Sequence, residues 1–107
     1  MVTEMVRDWF AERDGWEPFD CHGNHGNWFR LEDDGSVTTH IGHPFPHDLK
    51  AAAAALPEGW IWMRSAPGTF WRAGCDDIPM VKVPDTFDEI HDRYELAKAA
   101  IEMMERE

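Results

Sequence analysis

Apolar positions recur with two different periods along this chain, and each period predicts an element. Over residues 3–13, Val6, Trp9 and Phe10 fall on one helical face, while Glu4, Arg7, Asp8 and Glu12 take the other. Gly15 stops that helix. Gly15-Trp16-Glu17-Pro18-Phe19 reads as a turn with two aromatic plugs, and residues 20–26 as a polar loop. Residues 28–31 and 36–41 read as strands, and Asp34-Gly35 between them is a strong hairpin signal. The His-Pro-Phe-Pro-His run at 43–47 is extended, because each proline pushes its predecessor out of the helical region.

Five alanines favour a helix from about 48 to 56, ended by Pro57 and Gly59. A second hairpin is predicted from residues 60–64 and 69–72, joined by a Ser-Ala-Pro-Gly turn. Residues 74–79 read as a loop and 80–83 as a short strand. Pro84 then leads into a last helix from Thr86 almost to the end. Thr86 and Glu89 form a capping box, and Asp85 and Asp88 complement the helix dipole. Phe87, Ile90, Tyr94, Ala97, Ile101 and Met104 make one apolar stripe.

The predicted order is α-ββ-α-βββ-α. It implies an α+β fold: a mostly antiparallel sheet of about five short strands, with three helices on one face. A hairpin followed by a helix occurs twice, a repeat of elements and not of residues. The 107 residues fit one domain, 1–107, large enough for a core without staples. In the 60–64 strand, Trp60 and Trp62 point one way, and Ile61 and Met63 the other. The aliphatic pair is the natural choice to pack on the core. Trp60 and Trp62 then lie under a helix, or stand exposed beside Arg64 as interface anchors.

Charge changes the picture more than composition does. Asp and Glu number 21 against 10 Lys and Arg, a net charge of −11. Such a field repels nucleic acid and anionic membrane and attracts basic surfaces. On the last helix, Asp88, Asp92, Glu95 and Glu102 fall in one stripe opposite the apolar one, so the stripe is expected to face solvent. Like charges one turn apart cost a helix a few tenths of a kcal/mol. Carboxylates a turn apart also match, loosely, the spacing of phosphates along a strand of DNA.

Chemistry is sparse. There is no Gly-rich phosphate loop, no Walker pattern and no nucleophile elbow. The seven Arg and three Lys are scattered. Cys21 with His25, and His40 with His43, are two short-spaced pairs of the kind zinc uses, but they match no standard finger. Cys75 is followed by two acids, which raise a thiol pKa, and Cys21 has His22 next door, though adjacent residues seldom aim at each other. Two cysteines, and an opening with an early acid and no apolar run, predict a cytoplasmic protein with free thiols.

These observations lead to a non-enzymatic acidic protein-binding module with no cofactor. Its partner is expected to be a basic surface of a protein, as in a nucleic-acid-binding complex, with no direct contact to nucleic acid or membrane. The contact residues are expected to be Asp88, Asp92, Glu95, Glu102, Trp60 and Trp62. Small acidic inhibitors from phages and mobile elements, including the anti-CRISPR type and DNA mimics, fill such a role. The alternatives are a zinc domain built on Cys21, His25, His40 and His43, and a small enzyme or ligand-binding domain. The latter would need a pocket holding several of His22, His25, His40 and His91. A homodimer is compatible with an exposed Trp patch.

Overall fold

A computed structural model describes residues 2–19, 26–76 and 78–106. The chain is α+β, in the order α1 (Glu4–Arg13), β1 (Trp16–Pro18), β2 (Asn27–Leu31), β3 (Val37–Ile41), α2 (Leu49–Ala55), β4 (Ile61–Arg64), β5 (Phe70–Cys75), β6 (Ile78–Pro84) and α3 (Glu89–Glu105). The strands form two three-stranded antiparallel meanders, β1-β2-β3 and β4-β5-β6. The expected single sheet of about five strands is therefore corrected to two sheets of three, and the order to α-βββ-α-βββ-α. The extra strand is β1, which its glycine and proline disguised as a turn. Trp16 pairs with Arg30 and Pro18 with Trp28 at the edge of the sheet. A proline costs no ladder bond at an edge.

Contacts group the chain into two compact units: Arg7–Pro46, and the residues before Arg7 together with those from His47 onward. In the first of these, β2 and β3 pair from Asn27–Ile41 to Leu31–Val37, and Gly35 turns the hairpin at φ 88°. Trp16 and Trp28 are buried with Ala11, and Phe45 packs against them. Two hydrogen bonds tie the Pro-rich segment to α1. Arg7 Nε donates to the Phe45 carbonyl at 2.7 Å, and His43 Nε2 lies 2.7 Å from Asp8 Oδ1.

In the second unit, α3 packs on β5 and β6, and α2 packs on α3. The pleat sends Trp71 and Ala73 of β5, and Val81 and Val83 of β6, to the same side. There they meet Trp60, Leu96 and Ala100, with Trp62, Ala99 and Met103 around them. The expected loop over 74–79 is instead the end of β5 and the start of β6. A bulge between Ala73 and Cys75 absorbs Gly74.

The last helix begins later than its capping box implied. Asp88 is the N-cap and its side chain accepts from the His91 N–H. Thr86 is taken up differently. Its N–H donates to Asp92 Oδ2 at 3.0 Å and its hydroxyl to Oδ1 at 2.6 Å. The expected apolar stripe also holds only in part. Tyr94 and Ala97 are buried, but Phe87 is 71% and Met104 43% exposed. The face against the sheet is carried by Leu96, Ala100 and Met103, rotated well away from that stripe.

Candidate functional site

The structure divides the expected contact residues. Trp60 is 7% exposed and belongs to the core. Trp62 packs against that core, and the Arg93 guanidinium lies 3.8 Å from its ring centroid. The expectation that Ile61 and Met63 pack inward is reversed: they are 67% and 42% exposed. The reason is size. The two indoles fill the space between sheet and helix that Ile61 and Met63 would leave partly empty, and buried area decides the pleat.

The acidic stripe on α3 is also broken. Asp92 is 1% exposed, which corrects the expectation that it faces solvent. At 100° per residue it lies about 40° from Leu96, the residue that leads the sheet-facing side. Burial there is tolerated because Thr86 supplies both hydrogen bonds. Asp88 is spent on capping. Glu95 and Glu102 are half-buried on the outer flank of the helix.

A second buried acid, Asp85, follows the end of β6 and directly precedes Thr86. Asp85 accepts from Arg64 Nε at 2.7 Å and Nη2 at 3.0 Å, and from the N–H groups of Gly68 and Phe87. The Arg64 hydrogen bond, helped by those two N–H groups, holds its carboxyl below the usual carboxylate range. This network fixes Phe87 at φ 65°, an unusual place for a bulky side chain, with its ring over the Pro67-Gly68 turn.

Of the proposed metal ligands, Cys21 and His25 lie outside the described residues, as does His22. His40 is exposed on β3, with Nδ1 3.0 Å from the Gly42 carbonyl oxygen. His43 has both nitrogens engaged, since Nδ1 accepts from the Phe45 N–H at 3.1 Å while Nε2 faces Asp8. Among the described residues no three His, Cys, Asp or Glu side chains converge as a metal site. Of the histidines expected to share a pocket, His40 belongs to the unit Arg7–Pro46 and His91 to the other. Among the described residues no helix is long and apolar enough to cross a membrane.

The surface that stands out was not singled out from the sequence. It is the outer face of β4-β5-β6. Strand register aligns Ile61 with Gly74, and Met63 with Arg72. Arg72 in turn faces Lys82, and Phe70 faces Pro84. Met80 is 47% exposed on the same side. An open depression of about 280 Å³ is lined by Ile61, Met63, Arg72, Cys75, Asp76 and Met80. Gly74 also lines it and lies close to β6, where a Cβ would meet the Met80 backbone at 3.3 Å. Lys82 Nζ stands 4.9 Å from the Phe70 ring centroid.

The signal for this face was in the sequence but needed the register. Residues 60–63 are apolar on both parities, so alternation alone does not choose a face. The run Val81-Lys82-Val83 does choose one, since Lys cannot point into the core. Pairing then carries that choice to Arg72 and Met63. Protein-family models, curated proteins and solved structures were each compared with the chain, and none matches.

Proposed function

We propose that the chain is a protein-binding module and that it docks through the outer face of β4-β5-β6. One observation carries the reading: Ile61, Met63 and Met80 stand uncovered beside one another on a face with its own depression. A sheet normally buries one face and gives the other to polar side chains. Large apolar groups on the solvent side, rimmed by charge, mark an interaction surface. The role is that of a binding partner or regulator, with no reaction chemistry required of the face.

A second reading keeps the acidic flank of α3. Glu95 and Glu102 remain on its outer side, in a chain of net charge −11. They suit a basic protein surface of the kind that handles nucleic acid, and an inhibitor's role there. Asp92 has no part in this reading, because it is committed to Thr86.

The two readings separate in one comparison. Tagged wild-type chain, an Ile61→Asp/Met63→Asp variant and a Glu95→Lys/Glu102→Lys variant are used to capture partners, which are identified by mass spectrometry. The sheet-face reading expects a partner that survives rising salt, is lost from the first variant and is retained by the second. The opposite pattern, with release at moderate salt, overturns it in favour of the acidic helix.

A further inference from the structure

We infer that Arg72 and Lys82 make the outer face of β4-β5-β6 selective for a carboxylate-bearing apolar segment of a partner protein; this rests on the docking face proposed above. The two cations are direct cross-strand neighbours on that face. Like charges directly opposite one another destabilise a sheet. The chain has twice as many acids as bases, yet among the described residues none forms an ion pair with either cation. Arg72 Nε is buried and has no hydrogen-bond partner.

Three other cations of this chain are ion-paired internally. Arg30 has Asp14 and Glu32, Arg64 has Asp85, and Arg93 has Glu89. Arg72 and Lys82 instead lie among Met63, Phe70 and the Ile61–Met80 depression, whose lining includes one acid, Asp76, that pairs with neither. The complementary ligand therefore has one or two carboxylates set among apolar side chains. The carboxylate bridges the guanidinium and the ammonium, and the apolar groups cover Ile61, Met63 and Met80. Charge-assisted bonds of this kind are short and strong.

Nucleic acid fits this face poorly. A polyanion has a charge about every 1.7 Å and samples the field of the whole chain, which is strongly negative. A short segment with one or two acids samples mainly the local pair, because repulsion beyond about 8 Å is screened in physiological salt.

The test is a display library of random dodecapeptides panned on the immobilised chain and counter-selected on the Ile61→Asp/Met63→Asp variant. The expected sequences are rich in Asp or Glu beside large apolar residues. Synthetic copies should bind Lys82→Ser and Arg72→Ser/Lys82→Ser about tenfold or more weakly, and should weaken equally when their acids become amides. Lys82 is exposed, so the single variant keeps the result clear of folding defects. Recovery of acid-free peptides that ignore both cations overturns the carboxylate inference and leaves the docking face standing. Failure to recover any peptide that depends on Ile61 and Met63 overturns both. Duplex DNA bound in an Arg72- and Lys82-dependent way, or a dimer of the chain lost in those variants, overturns the inference by naming another occupant.

Discussion

The two meanders are built alike and finished differently. Each turns a tryptophan inward and lays an arginine over an indole: Arg30 at 4.7 Å from Trp16 in the first, Arg64 at 5.2 Å from Trp71 in the second. Each also leaves large apolar side chains outside. In β2 and β3 these are Leu31, Val37 and Ile41, at 68%, 58% and 89% exposure. In β4 and β6 they are Ile61, Met63 and Met80. The difference lies in what accompanies them. The outer sides of β2 and β3 carry no charge among Asn27, Phe29, Leu31, Val37, Thr39 and Ile41, and β1 adds one acid, Glu17, opposite Phe29. The outer side of the second meander sets two cations together. Apolar exposure alone says that something covers a face; unpaired charge says what kind of thing. The first meander offers a lone acid there and the second a pair of cations.

The meanders also differ in support. The second rests on a cluster of seven buried residues and the first on a cluster of three. The largest expected effect therefore comes from the second core. Leu96→Ala removes a fully buried side chain wedged between α3 and the sheet, and is expected to cost about 2–5 kcal/mol in urea denaturation. Native-state hydrogen exchange should find the amides of β5 less protected in this variant. In the wild type, the amides of β2 should exchange faster than those of β5, because fewer buried contacts hold them. Equal protection of the two sheets would remove this half of the comparison.

A smaller effect tests what became of the acidic helix. Asp92→Ala orphans the Thr86 N–H and hydroxyl in a buried place, at a cost of about 1–3 kcal/mol. Glu95→Lys, on the outer flank, is expected to stay within about 0.5 kcal/mol. Thermal melts of the two variants decide it. If both are neutral, Asp92 is not the structural residue described here.

Asp92 also marks how far the sequence could be read. The elements were legible wherever local chemistry fixes them: the Asp-Gly hairpin, the alanine helix and the long last helix all form. Two things were not. Trp16-Glu17-Pro18 became a strand because a neighbour, β2, offered an edge, and no local signal reports a neighbour. The α3 faces were misassigned because the helix buries two sides, one toward α2 and one toward the sheet. A single 3.6-residue stripe through Tyr94 and Ala97 describes only one of them. The Asp92-Leu96-Ala100 row was present at i, i+4, i+8, but its leading Asp hid it. The exposed face of β4-β5-β6 was harder still, since Ile61 and Met63 alternate with tryptophans.

Acid separates the meanders again. Asp85 in the second has its pKa lowered chiefly by Arg64; Glu32 and Asp34 in the first have theirs lowered by hydrogen bonds from Thr38 and Arg30, and from Ser36. All three carboxyls thus bind protons less readily folded than unfolded. Their contribution is present above the unfolded carboxylate pKa, near 4, and is lost as pH falls through the folded values. Asp85 lies lowest, so its contribution persists to the most acid pH. Melting temperatures followed from pH 6 downward should decline, and Asp85→Asn should flatten the most acid part of that decline. A flat profile in the wild type would contradict the sign.

The smallest effect on stability is the sharpest on meaning. Ile41→Lys, on the edge strand of the first meander, is expected to change stability by less than about 0.5 kcal/mol. It places a charge on an open edge, which discourages strand-to-strand association and leaves partner binding untouched. Lys82→Ile makes the converse change in the second meander. It removes the charge that opposes Arg72, so the folded chain should gain a few tenths of a kcal/mol. The same change should weaken capture of carboxylate-bearing peptides. A residue whose loss stabilises the fold while abolishing recognition is retained for the recognition. If instead Lys82→Ile destabilises the chain and binding is unchanged, the two cations belong to the architecture, and the meanders differ only in the size of their cores.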